Sequence, residues 1–308
     1  MSLFDRVASL VIGQPNGKAV KIRDLRFAFS IEKGSGENPN SCTCRIFNLN
    51  PDSRALVETV NNVLILKAGY RLDVGELTIF TGTVTRAITK REGADWVTEL
   101  EMLDGGLEYR DKKTSFSFAP GATGQTVLTS IANTFGLPVR PLPVDIAAKQ
   151  YTEGFAFVGR SREAMAKACD YLGLEWSIQN REMQILKKGK AVAMQAFVLS
   201  PDTGLIGSPE SEHKTLSEKA AAKKGITENQ NGVRVTFGTD EASGDKDKKL
   251  EVQGWKVKTL LQPAMQPGGY VRLDTKSIKG EFFRIEAVTH SGDTHGAEWE
   301  SELTLRYV

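Results

Sequence analysis

Three histidines and three cysteines are all that the 308 residues contain, and the charges nearly cancel. Each scarcity removes a class of function. An odd set of cysteines (Cys42, Cys44 and Cys169) without framework spacing argues against a secreted disulfide scaffold. A formal net charge of +2, from 40 Lys and Arg against 38 Asp and Glu, is not that of a chain built to neutralise phosphates. No apolar run approaches the length of a membrane span, so no membrane insertion by this chain is expected. Val7 to Ile12 is too short for a signal peptide and follows Asp5, so folding in a cytoplasm is expected.

Reacting groups are equally scarce. There is no G-x-S-x-G elbow and no H-E-x-x-H pair. Gly13-Gln14-Pro15-Asn16-Gly17-Lys18-Ala19 is one residue short of a phosphate loop and lacks its final Ser or Thr. His290, Asp293 and His295 could ligate a metal, but they stand in His290-Ser291-Gly292-Asp293-Thr294-His295-Gly296, a run of turn-forming residues. Ligation also needs a converging fourth group. Two carboxylates suffice for glycoside cleavage, yet no pair is singled out among the acids. No catalytic, cofactor-binding or metal-binding residue is therefore assigned, and no cofactor is expected.

What is present is β pattern. Leu25, Phe27, Phe29 and Ile31 alternate with polar or small residues, and Cys42, Cys44 and Ile46 continue on a return strand. There the cysteines serve as small apolar side chains. Asn50-Pro51-Asp52 starts a short helix, to about Val60. Strands follow over Val63 to Ala68, Leu77 to Ile88 and Trp96 to Met102. After residue 111 the period changes. Val127, Leu128, Ile131, Ala132 and Phe135 share one helical face, with Gly136 as the stop. A second helix starts at Ser161 as cap and runs to Gly173, and Leu174, Trp176 and Ile178 then alternate into an Asn180-Arg181 turn. Residues 211–251 are rich in Lys, Glu, Asp and Gly, with one hairpin read around Val233 to Phe237. They are expected to project from the fold as its most mobile or partner-dependent part.

Two stretches repeat. Gly69-Tyr70, Leu72-Asp73, a strand ending Val84-Thr85 and Ala94-Asp95-Trp96 return in the same order. The second copy is Gly269-Tyr270, Leu273-Asp274, a strand ending Val288-Thr289 and Ala297-Glu298-Trp299. The expected fold is mainly β with α+β: two similar β-barrel domains, 1–111 and 193–308 with the polar insertion 211–251, flanking a small α/β domain, 112–192. Trp96 and Trp299 fit core positions, since no basic stripe makes them base-stacking platforms.

Four pieces, in this order, resemble the baseplate hub proteins of contractile-tailed bacteriophages, the Mu-like group in particular. They are Ile46-Phe47-Asn48-Leu49-Asn50; Arg91-Glu92-Gly93-Ala94-Asp95-Trp96; Thr203 to Glu210; and Leu260-Leu261-Gln262-Pro263 with Pro267-Gly268 and His290 to Gly296. The polar insertion departs from the compact join of that family. The resemblance implies a structural, non-enzymatic hub: a homotrimer whose duplicated barrels form a pseudo-six-fold ring in the virion tail baseplate. Its partners would be the central spike protein, tail tube or tube-initiator proteins and other baseplate proteins, with DNA passing through without sequence-specific binding. A hub-associated cell-wall hydrolase and a nucleic-acid-binding barrel protein are the alternatives.

Overall fold

The computed structural model describes residues 5–15, 17–73, 75–106, 109, 112–191, 196–215, 227–228, 235–236 and 250–308. The first third folds as β1 (Arg6–Gly13), β2 (Ala19–Ile22), β3 (Phe27–Gly34), β4 (Ser41–Phe47), β5 (Val63–Tyr70), β6 (Gly75–Glu92) and β7 (Asp95–Leu103). The middle carries β8 (Lys113–Phe118), β9 (Ala122–Thr123), β10 (Gln150–Tyr151), β11 (Phe155–Arg160), β12 (Leu174–Gln179) and β13 (Glu182–Lys187), with two main helices, Gly124–Phe135 and Ser161–Tyr171. The last third is β14 (Phe197–Leu199), β15 (Leu205–Thr215), β16 (Thr227–Glu228), β17 (Val235–Thr236), β18 (Leu250–Leu260), β19 (Tyr270–Asp274), β20 (Lys279–Asp293) and β21 (Trp299–Tyr307).

Two separate closed barrels are not what the strands form. Among the described residues, one 13-stranded sheet runs β15-β18-β21-β20-β3-β4-β7-β6-β5-β1-β2, with β19 beside β20 and β14 beside β19. The reason lies in β20. Its first half pairs with β19, while Ala287–Asp293 pairs antiparallel with Gly34–Ala28 of β3. The edge that could have closed a second barrel is spent on joining the two ends of the chain.

The repeated stretches share a topology. β5-β6-β7 and β19-β20-β21 are both antiparallel meanders. Each has a bulge at a matching place, between Val84 and Arg86 on β6 and between Ile285 and Ala287 on β20. A bulge bends its strand and increases the local twist, so both long strands curve where they change partners. The tryptophans differ in burial. Trp299 is buried against Phe29 at 5.8 Å, whereas Trp96 is 44% exposed with the Arg54 guanidinium 4.9 Å above its ring. The core expectation therefore fails for Trp96, which sits at the sheet's rim.

Among the described residues, three apolar cores lie along this frame. One gathers Leu10, Ile12, Phe27, Ile31, Ile46, Leu64, Leu66 and Phe80, and takes in Leu261 and Trp299 from the last third. Another holds Val257, Val271, Leu273, Phe283, Ile285, Leu303 and Leu305. Burying one such side chain stabilises by about 1.5–3 kcal/mol. Cys42 and Cys44 are buried free thiols in the first core, and burial pushes both pKa values up.

The third core belongs to the helical middle. The predicted face Val127, Leu128, Ile131, Ala132 and Phe135 is wholly buried. Thr123 caps the helix by accepting from the Thr126 N–H at 3.2 Å, and Gly136 ends it at φ 69°. Ser161 is not the cap expected of it. It is the first helical residue, and its hydroxyl contacts Thr134 Oγ1 at 2.8 Å. The short helix Pro51–Val57 is capped by Asn50, whose side chain accepts from the Ser53 N–H at 2.8 Å. Strands here pair antiparallel in twos, β8 with β11, β9 with β10 and β12 with β13. The polar stretch is strand at both ends: β15 extends to Thr215 and pairs with β18 from Leu250. Near the expected hairpin, Val235–Thr236 pairs with Thr227–Glu228, and most of 216–249 lies outside the described residues.

A buried polar latch fastens this middle to the sheet. Asp104 accepts from the backbone N–H groups of Asn180 at 2.5 Å and Arg181 at 2.7 Å, both at positive φ in the β12–β13 turn. Asn40 Nδ2 donates to Ile178 O at 2.8 Å, and Gln179 Nε2 donates to Gly34 O at 2.8 Å. Lys33 Nζ donates to Asn180 Oδ1 at 2.9 Å. Burial pushes the Asp104 carboxyl up and Lys33 down to about 8, so solvent exclusion opposes both charges. Arg284, almost fully buried, adds an ion pair to Glu175. Asp104→Ala strands two backbone donors and removes the negative charge that favours the buried Lys33 ammonium, and is expected to lower unfolding stability by about 3 kcal/mol in urea titrations.

Candidate functional site: the polar face of the sheet

β alternation gives this sheet two faces of opposite character. In succession across six strands, Glu300, Ser291, Ser30, Thr43, Glu101 and Arg86 stand opposite one another. One residue along, Trp299, Gly292, Phe29, Cys44, Leu100 and Ala87 form the neighbouring row. The first row faces out and the second faces the core. Gly292 is required there, because a Cβ would come within 2.5 Å of the Phe29 ring and 2.9 Å of Trp299.

The outward face is charged and of mixed sign. Arg86 pairs with Glu101 at 2.5 Å, Lys90 with Glu99 at 3.3 Å, Arg45 with Glu92 at 2.6 Å and Lys258 with Glu300 at 2.5 Å. Such exposed pairs contribute little stability, roughly 0.2–1 kcal/mol each. What they set is the potential of the surface. Each base lies beside an acid, so no large patch of one sign builds up along these rows. Glu300 holds the Lys258 ammonium above its usual range by hydrogen bonding and by charge. The sequence carried a signal for this face in Lys256/Lys258, Glu99/Glu101 and Glu300/Glu302, charges spaced by two. Their continuity across both ends of the chain needed the β3–β20 pairing to be visible.

The residues singled out for chemistry are dispersed. The Gly13 to Lys18 stretch is the turn from β1 to β2. The Gln14 N–H donates to Lys18 O at 3.1 Å, and the strand Ala19–Ile22 follows. Among the described residues, no helix N-terminus stands there to cradle a phosphate. Asp293 is bidentate to Arg26, closest at 2.7 Å, and accepts from the N–H groups of His295 and Gly296. That is a turn held by its own aspartate. His295 lies at the surface beside Thr294, whereas His290 is fully buried with Nδ1 2.7 Å from Ser301 Oγ. Among the described residues, no three His, Cys, Asp or Glu side chains converge as a metal site would require.

Burial, with the nearby positive charge of Lys33, pushes His290 down to about 3. Its ordinary value is 6.5, so between those limits the unfolded chain binds a proton that the folded chain refuses. The stability is complete above about pH 6.5 and is lost as pH falls toward 3. Urea unfolding across that range is expected to show a steeper acid loss in the natural chain than in His290→Asn.

No protein-family model matches the sequence, and no curated protein does. Solved structures do match. The tail protein from Neisseria meningitidis MC58 aligns at TM-score 0.62 and 11% identity, over 98% of this chain and 97% of that one. The 43 kDa tail protein of prophage MuSo2 from Shewanella oneidensis aligns at 0.61 and 9%, over 97% and 98%. The E. coli c3393 protein, described as a type VI secretion component with structural similarity to the T4 tail proteins gp27 and gp5, aligns at 0.57 and 11%, over 97% and 76%. At such identities the likeness speaks for the fold, and over nearly its whole length this chain has the mainly β fold of these tail proteins.

Proposed function

We propose that the chain is a structural hub of a contractile phage tail, built into the virion baseplate between tube and spike. The observation that carries this reading is the end-to-end likeness to two tail proteins, one of them from a prophage, in which almost no part of either chain is left over. The resemblance of the four sequence pieces to Mu-like hubs supports it independently. In this reading residues 1–111 and 193–308 act as two similar ring modules, with 112–192 between them. Three copies surround the tail axis and present six modules to the tube and three-fold symmetry to the spike. Other baseplate proteins join at the periphery.

The mixed-sign face suits the lining of such a ring. DNA leaving the tail slides best past a wall that neither reads bases nor holds phosphates. The role is structural, and no catalytic step is assigned to it. A hub of a related secretion machine is the second reading, favoured by the E. coli c3393 likeness.

A reconstruction of the tail tip is expected to show three copies about the axis. One copy, six copies or an off-axis position would overturn the hub. Replacing Glu300 and Glu302 together with Lys is expected to leave assembly intact but slow genome ejection. The slowing should ease as salt rises, because the added phosphate contacts are salt-sensitive. Ejection at natural speed in low salt would show that this face is not the lining.

A further inference from the structure

The fold contains one lateral strand joint and the two unmated halves of another. Within the chain, β3 pairs with the second half of β20. The two ends of the chain match strand for strand: β3-β4 with β15-β18, and β5-β6-β7 with β19-β20-β21. The counterpart of β3 is thus β15, and the counterpart of β20 is β6. Both counterparts are open where their equivalents are joined. β15 has β18 on one side and no strand on the other, among the described residues. Among the described residues, Arg86–Glu92 of β6 has β7 on one side only, since β5 pairs with residues 75–83.

We infer that β15 of one copy pairs antiparallel with Arg86–Glu92 of β6 in the next copy, repeating between chains the joint that β3 and β20 make within one. The inference rests on the proposed ring and names the contact that closes it. A head-to-tail contact of this kind, using two different edges, generates a closed ring when the rotation allows.

The internal joint also sets the register. Ser30 faces Thr43, which faces Glu101, which faces Arg86, the residue just past the β6 bulge. In the other half, Glu210 faces Lys256, which faces Thr304, which faces Ala287, just past the β20 bulge. Glu210 therefore occupies the place of Ser30. Ser30 faces Ser291, the fourth residue after Ala287, and the fourth after Arg86 is Lys90. Glu210 of one copy thus meets Lys90 of the next. Glu212, two residues on, lies diagonal to both Lys90 and Arg86. Glu210 and Lys90 are the one opposite-charge pair directly across the joint; in the same register Glu212, which already pairs with Arg306 of its own chain, lies opposite Ile88, and Lys214 lies opposite Arg86.

Edge strands that must not pair at random carry bulges and prolines. β15 is irregular between Ile206 and Glu210, with Gly207 at φ 71° and Pro209 in that interval. This blunts its first half and leaves Glu210–Thr215 as the pairing segment. In that register the six residues lie opposite Thr85–Lys90, against seven in the internal seam, and Arg91 and Glu92 fall beside the blunted half.

The test uses tail particles and purified chain carrying Lys90→Cys with Glu210→Cys. Opposed Cβ atoms in antiparallel strands approach to about 4.5–5.5 Å, within reach of a disulfide after slight adjustment. The natural cysteines are all buried. Mild oxidation is expected to give covalent trimers on non-reducing gels. Lys90→Cys with Ser208→Cys, out of register, should give few. If reconstruction shows three copies on the axis but no cross-link forms, the pairing is wrong and the hub stands. If the copies are not three, the hub falls and the pairing with it. Charge exchange checks the same contact without thiols. Lys90→Glu and Glu210→Lys should each weaken trimers by about fivefold at low salt, and the double exchange should restore them. Failure of restoration, with both variants folded, would overturn the register.

Discussion

The antiparallel seam between β3 and β20 governs the architecture. Seven residues from each strand, Ala28–Gly34 and Ala287–Asp293, bond the start of the chain to its end. Because pairing fixes register, it also fixes which side chains share a face. A slip of one residue would turn Glu32 and Ser30 toward the core and Ile31 and Phe29 toward solvent. The seam therefore aligns two chemically different surfaces at once. One is the apolar side that Trp299 and Phe29 fill together, and the other is the row running from Glu300 to Arg86.

The helical middle obeys a different logic. It owns an apolar core, but its attachment to the sheet is largely polar. Asp104 receives a turn whose two residues, Asn180 and Arg181, hold positive φ and so present their N–H groups side by side. Charged groups pay a desolvation cost there that an apolar contact would avoid. In exchange, the orientation of the β12–β13 hairpin is tied to a specific set of donors and acceptors.

Local pattern was legible in the sequence, and long-range pairing was not. The Val127 to Phe135 helix and the alternation of Cys42, Cys44 and Ile46 follow from spacing, and the Gly136 stop from residue type, whereas the Thr123 cap was not read. The meander repeat was readable because Tyr, Trp and turn glycines recur in order. Barrel closure failed as an expectation because no local signal tells a strand which neighbour, hundreds of residues away, will take its second edge. Trp96 was misplaced for a related reason: its alternation is that of a core strand, but it lies at the rim, where the sheet ends beneath Arg54. The charged rows were visible as pairs of charges, yet their union into one surface depends on the seam. The hydrogen-bonding residues of the latch, Asn40, Asp104 and Gln179, carry no motif, since their partners are backbone groups of a distant turn.

The seam joins segments some two hundred and fifty residues apart, so it sets a clock on biosynthesis. While the ribosome is still making the middle of the chain, β3 waits with an edge exposed that only β20 is meant to cover. Contacts of such sequence separation form late, and open edges in partly folded chains invite foreign strands. A neighbouring nascent copy offers β6, the counterpart of β20, before its own β20 exists. Premature exchange between unfinished chains is thus the characteristic error of this fold, and fast, crowded synthesis is the condition that would favour it.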